Sequence, residues 1–162
     1  MWFCPWNIFL EPGLLEYDLQ EARKLDQIVQ LAEKFNIYLQ LVLIYHGMLN
    51  KANWHINPYN AIHGGPCKVP GDFFVNKAAQ TLFKARLRYI IARWAYSANV
   101  FAIELINEAD LTDYMEFQHV IDWHRTMANY IHTINPYNTL VTSSCADFKK
   151  GRLLGKLRGI DF

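Results

Sequence analysis

Apolar and polar positions alternate along this chain in two distinct rhythms. Residues 2–10 are aromatic and apolar and stop at Glu11-Pro12-Gly13, a turn signal. Over residues 16–35 the apolar positions Leu19, Ala22, Leu25, Ile28, Val29, Ala32 and Phe35 recur every three or four residues, which predicts one helix face. Asn36 follows where a left-handed residue would close that helix. Residues 37–45 are almost unbroken apolar, the pattern of a strand buried on both faces in a parallel sheet. A long stretch from His46 to about Val75 then mixes Gly, Pro, Asn and aromatics, and irregular segments of that length usually carry function. A second amphipathic helix is predicted over 76–97, with Ala79, Leu82, Phe83, Leu87, Ile90, Ile91 and Trp94 inward. Residues 100–106 form the next strand, and a third helix runs from about Glu116 to Ile134. Asn135-Pro136-Tyr137-Asn138 is a turn, Thr139 to Ser143 a short strand, and Gly159 to Phe162 the start of another after a poorly defined connection.

This order predicts an α/β chain of βαβ units with parallel strands at roughly 3–9, 37–45, 100–106 and 139–143. Such units build a doubly wound sheet or a barrel, and in both the chemistry gathers at the C-terminal strand ends. No glycine-rich phosphate loop follows any strand, so a nucleotide cofactor is not expected.

Composition narrows the function without naming it. The 162 residues are 52% apolar and 15% aromatic, which excludes disorder and favours one globular domain over 1–162. With 16 basic and 15 acidic residues, charge gives no reason for a nucleic-acid or anionic-membrane partner. The basic stretch from Lys149 to Arg158 reads as a solvated face. Cys4, Cys67 and Cys145 are too few and too widely spaced for a disulfide framework. No apolar run is long enough for a membrane span, and the first residues lack the basic and apolar regions of a signal peptide.

The polar groups fall at the predicted strand ends: Glu11, then Tyr45-His46-Gly47, then Asn107-Glu108-Ala109-Asp110, then Ser143-Ser144. A carboxylate and an imidazole thus converge on one rim, beside a loop holding Trp54, His55, Tyr59 and His63. Aromatic planes with hydrogen-bonding side chains suit a sugar. Each residue has a plainer reading. Glu108 is either an acid/base or a carboxylate at the N-terminus of the following helix. His46 is a sugar contact or a structural imidazole, and Trp54 and Tyr59 are platforms or loop packing. Glu104, in mid-strand, reads as part of an ion pair inside the barrel. His55, His63 and Cys67 lack zinc-site spacing, so no metal is expected, and Ser143-Ser144 lacks the Gly-x-Ser-x-Gly elbow of serine hydrolases.

The segment Phe101-Ala102-Ile103-Glu104-Leu105-Ile106-Asn107-Glu108-Ala109-Asp110 resembles the W-E-L-x-N-E strand end of clan A glycoside hydrolases, above all the cellulase-type family five, with Ile103 in place of the usual Trp. The segments 25–34, 86–97 and 123–144 resemble the helices and strand around it. The resemblance implies a partial (β/α)8 TIM barrel, with Glu108 as general acid/base, Asn107 bonding a sugar 2-hydroxyl, and an oligo- or polysaccharide substrate of the cellulose or mannan type. His46, Trp54, Tyr59 and Glu11 are the further candidate sugar contacts. A glycosidic oxygen leaves poorly unless protonated, and a carboxyl can supply that proton and later take one from water.

Matched onto the family, the chain runs from the end of strand two to the beginning of strand six. The family's nucleophile is a Glu at the end of strand seven and has no counterpart here, with Glu11 the nearest stand-in. Three readings follow: a retaining β-glycanase, a non-catalytic sugar-binding remnant, or one half of a split barrel. Open strands near residues 3 and 160 lead us to expect self-association into a homo-oligomer.

Overall fold

In the computed structural model, which describes residues 1–3 and 10–162, four parallel strands lie in the order of the sequence. They are β1 (Trp2–Phe3), β2 (Leu39–Tyr45), β3 (Val100–Asn107) and β4 (Leu140–Thr142). Most of the expected first strand, residues 4–9, lies outside the described residues. β1 pairs with β2 at Trp2–Gln40 and Phe3–Leu41. β2 pairs with β3 through Leu41–Ile103, Val42–Glu104 and Tyr45–Asn107. β3 pairs with β4 through Ile103–Val141 and Glu104–Thr142.

Helices α1 (Leu19–Lys34), α2 (Asp72–Val75), α3 (Lys77–Trp94), α4 (Phe117–Ile134) and α5 (Phe148–Leu154) connect them. The starts of α1, α3 and α5 follow from short polar side chains that satisfy the first free N–H groups. The Asp18 carboxylate accepts from the amides of Gln20 and Glu21, Asn76 from Ala78 and Ala79, and Asp147 from Lys149 and Lys150. Asn36 has the expected left-handed backbone after α1, at φ 51°.

The buried stripe of α1 is Ala22, Leu25, Val29 and Ala32. Leu19 and Phe35, expected on that face, are exposed. They stand at and just past the helix ends, where the stripe has run off the sheet. α3 buries Ala79, Phe83, Leu87, Ile90, Ile91 and Trp94. The segment 148–154, unassigned in the sequence, is helical because Asp147 caps it and Leu154 is buried beneath it. Residues 159–162 form no strand. Asp161 nevertheless donates its amide to the Val141 carbonyl at 2.8 Å and accepts the Val141 amide on its carboxylate at 2.7 Å. The chain's own last residues therefore cover part of the β4 edge.

The 46–75 segment is ordered by asparagine amides and by aromatic packing. Asn53 donates to the Gly47 carbonyl, Asn57 to Met48, Asn60 to Trp54 and Asn76 to Pro66, each between 2.8 and 2.9 Å. These bonds replace the ladder that an irregular backbone lacks. Gly65 lets the turn close, since a Cβ there would sit 2.2 Å from the Tyr59 backbone. Tyr59 and Phe73 then meet edge to face at 5.0 Å, and Phe73 and Phe83 each lie within 5.3 Å of the Trp123 ring. One aromatic cluster thus joins the segment to α3 and α4.

Candidate active site

β3 ends at Asn107, and the backbone turns sharply at Glu108, whose φ and ψ of 53° and 52° are left-handed. A non-glycine residue rarely adopts that conformation, at a cost of about 1–2 kcal/mol. A short 3-10 turn, Ala109–Leu111, follows. The Glu108 side chain makes no capping bond to that turn, and α4 begins only at Phe117. The helix-terminus reading of Glu108 therefore fails on geometry.

His46 opens a 3-10 turn directly after β2. Its Nδ1 lies 3.1 Å from Glu108 Oε2, in close polar contact but off the line of a well-directed hydrogen bond. The two side chains are 30% and 39% exposed, so both reach solvent while touching each other. A carboxyl in that position can exchange a proton with a bound molecule. Strand pairing brings Asn107 level with Tyr45, so Asn107, Glu108 and His46 share one rim, as parallel strand ends require. The rim loops are tied together: the Asp113 amide donates to the Leu49 carbonyl, and its carboxylate accepts the Lys51 amide at 2.7 Å. On the other side, Asp110 accepts the amides of Ala146 and Asp147 and pairs with Lys150 at 3.7 Å.

Three candidates do not reach the rim. Trp54 is buried and donates its indole N–H to the Lys68 carbonyl. Tyr59 is buried against Phe73. Both rings are loop packing, and neither face is open to a sugar. Glu11 is also buried, with Arg86 Nη1 3.5 Å from its Oε2 and the Leu15 amide on Oε1. An exposed phenol ring on the rim loops is that of Tyr114, 62% accessible, with φ 57° and Lys51 Nζ 4.6 Å from its centroid. It stands in a polar stretch with no periodicity, so the sequence offered no signal for it.

Glu104 was expected in an ion pair, and among the described residues it has none. This carboxylate, 1% exposed, accepts hydrogen bonds from Trp2 Nε1, Gln40 Nε2 and Ser144 Oγ between 2.7 and 2.8 Å. Three neutral donors stabilise a buried carboxylate without a cation.

The relatives of this chain carry a consistent description. It is 29% identical over 122 residues to mannan endo-1,4-beta-mannosidase A of Hypocrea jecorina, covering 73% of this chain and 25% of that protein. It is 30% identical over 118 residues to a probable mannan endo-1,4-beta-mannosidase A of Aspergillus flavus, covering 70% of this chain and 28% of that protein. The chain is related to the clan A glycoside hydrolases. It spans about a quarter of the length of these curated relatives. No family model matches it. Among solved structures, an endo-1,4-beta-D-mannanase of Thermotoga petrophila superposes with a TM-score of 0.66 at 18% identity, over 88% of this chain and 47% of that one. An exo-beta-1,4-mannosidase of an Opitutaceae bacterium also gives 0.66, at 20% identity, over 89% and 24%. These matches show the fold, a partial (β/α) barrel.

Behind the rim of this glycoside hydrolase relative lies a fully buried histidine. His124 of α4 meets the Val120 carbonyl through Nδ1 at 2.7 Å and Ser143 Oγ through Nε2 at 2.8 Å. Burial pushes its pKa down to about 4 from 6.5, because the imidazolium loses its hydration there. The neutral ring therefore fits the fold, with Nδ1 facing the Val120 carbonyl and Nε2 beside the Ser143 hydroxyl, which donates to the Ile106 carbonyl at 2.7 Å. Above pH 6.5 this contribution to stability is complete. As pH falls from 6.5 to about 4, the unfolded chain binds a proton that the folded one refuses, and about 3 kcal/mol is lost. Urea midpoints at pH 7 and pH 4.5 should therefore differ more in the wild type than in His124→Asn, and equal slopes would contradict the assignment.

Proposed function

We propose that this chain carries the acid/base side of a retaining glycoside hydrolase site for β-1,4-linked mannan. Glu108 delivers the proton to the leaving glycosidic oxygen, and Asn107 and His46 line the same sugar-binding rim. What carries the reading is the half-exposed Glu108 carboxyl at a strand end, 3.1 Å from His46. The linkage and the sugar are those of the two mannan endo-1,4-beta-mannosidase relatives. Among the described residues, Tyr114, rather than Trp54 or Tyr59, is an exposed aromatic side chain of the rim loops, with Lys51 over its ring, that can offer a face to a sugar.

A second reading, a sugar-binding remnant, is favoured by one observation. Glu11, the nearest stand-in for a nucleophile, is buried against Arg86. A retaining reaction needs two carboxyls about 5–5.5 Å apart across the bond. Mannohexaose titrated calorimetrically, with a 2-fluoro-mannosyl trap followed by intact mass spectrometry, separates the readings. Hydrolysis with a trapped adduct supports the enzyme, and binding without an adduct supports the remnant. No heat of binding and no hydrolysis would remove both.

The same partial barrel is expected to self-associate through β1, whose outer backbone edge has no partner strand among the described residues. Sedimentation velocity across a hundredfold dilution should show a concentration-dependent coefficient. A constant monomer value would count against it.

A further inference from the structure

Glu108 holds an uncommon backbone conformation in an open turn, so something must hold it there. The Ser144 hydroxyl is placed to do so. Its oxygen accepts the Glu108 amide at 3.0 Å and Asn107 Nδ2 at 3.1 Å, and its proton goes to Glu104 Oε1 at 2.7 Å. A serine hydroxyl has one donor and two acceptor sites, and all three are used. The Ser144 carbonyl also accepts the Ala109 amide at 3.0 Å, so one residue brackets Glu108 on both sides.

The direction of the hydroxyl is set from behind. Glu104 is buried, and its Oε2 is saturated by Trp2 Nε1 and Gln40 Nε2 at 2.7 and 2.8 Å. A carboxylate only accepts, so Oε1 draws the Ser144 proton away from the rim. Both serine lone pairs then face Asn107 and Glu108. We infer that Ser144, oriented by the buried Glu104 carboxylate, is the positioning residue that holds Glu108 in its left-handed turn against His46. This rests on the reading of Glu108 as the acid/base. The hydrogen-bond geometry that carries it does not depend on which sugar binds.

Glutamine at position 104 gives a sharp test. Its amide oxygen is required by the Trp2 and Gln40 donors, so its NH2 faces Ser144 and competes with the Glu108 amide for the serine oxygen. A packing role for Ser144 would be unmoved by that change. The experiment compares wild type, Ser144→Ala, Ser144→Thr and Glu104→Gln as full chains, labelled with nitrogen-15, with near-ultraviolet circular dichroism as the folding control. In Ser144→Ala and Glu104→Gln, the Glu108 amide should exchange about 3–10-fold faster, the equivalent of one net hydrogen bond. Its HN–Hα coupling should also leave the wild-type value that reports a positive φ. Ser144→Thr keeps the hydroxyl and should keep both. On mannohexaose, Ser144→Ala should lose kcat by roughly 10–100-fold with little change in KM, the signature of a displaced acid. An unchanged Glu108 amide in a folded Ser144→Ala or Glu104→Gln protein overturns the inference. If Ser144→Ala fails to fold, Glu104→Gln decides it. If the wild type hydrolyses nothing, the reading of Glu108 as acid fails, while the amide measurements still decide the role of Ser144.

Discussion

On the proposal that this chain hydrolyses mannan, replacing Glu108 with glutamine is expected to lower turnover by about 10²–10⁴-fold, the usual contribution of a general acid. Glutamine keeps the length of the side chain and its hydrogen-bonding reach, but it cannot release a proton. The loss corresponds to roughly 3–5 kcal/mol of transition-state stabilisation. It should depend on the leaving group. A dinitrophenyl mannoside departs without protonation, so the first step of its cleavage should be far less sensitive than that of mannohexaose. Binding should persist, because half-exposed Glu108 and its neighbours keep their shape. Turnover of the two proteins on mannohexaose is the measurement. Equal rates would take Glu108 out of the mechanism, and a parallel loss on both substrates would point to a role other than proton delivery.

That prediction could be framed from the sequence because the local pattern around Glu108 is strong. A run of apolar residues from Val100 to Ile106 leaves little choice but a buried strand, and the polar pair that ends it must lie at the strand's C-terminal end. The same logic placed His46 after β2. Periodicity also recovered α1, α3 and α4 to within a few residues. The sequence was weaker where a side chain's fate depends on distant partners. Trp54 and Tyr59 look alike in sequence whether they stack on a sugar or on Phe73, and only the path of the 46–75 segment decides. Ser144 could be placed at a strand end but not given its partners, because its link to Glu104 and Glu108 depends on the β3–β4 register, fixed by Glu104 opposite Thr142. A single chain does not state its register. Glu104 was misread for a related reason: a mid-strand carboxylate suggests a cation, and the partners it found were an indole, an amide and a hydroxyl.

Glu11 shows how burial changes what a carboxylate can do. Its side chain is 1% exposed, and Arg86 reaches it from α3 while donating to the Leu43 carbonyl at 3.1 Å. The pair borders a partly open pocket of about 80 Å³, walled by Leu25, Leu41, Leu43, Ile90 and Trp94. Among the described residues, Glu11 Oε2, Arg86 Nε and the Tyr59 hydroxyl have no hydrogen-bond partner. The pair joins the segment around Glu11 to β2 and to α3, and its removal should be felt globally. Arg86→Met keeps much of the apolar stem and deletes the charge, leaving Glu11 buried without compensation. Such a change costs about 3–5 kcal/mol, out of a total stability of about 5–15 kcal/mol for a typical domain. For a chain of this size that is a drop in Tm of roughly 10 °C. The double variant Glu11→Gln/Arg86→Met should recover a large part of the loss, because no charge then remains in the interior. Thermal and urea unfolding of the two single variants, the double variant and the wild type give the coupling between the sites. An Arg86→Met protein as stable as the wild type, or a double variant whose loss equals the sum of the two single losses, would show that the contact between Glu11 and Arg86 does not stabilise this barrel segment.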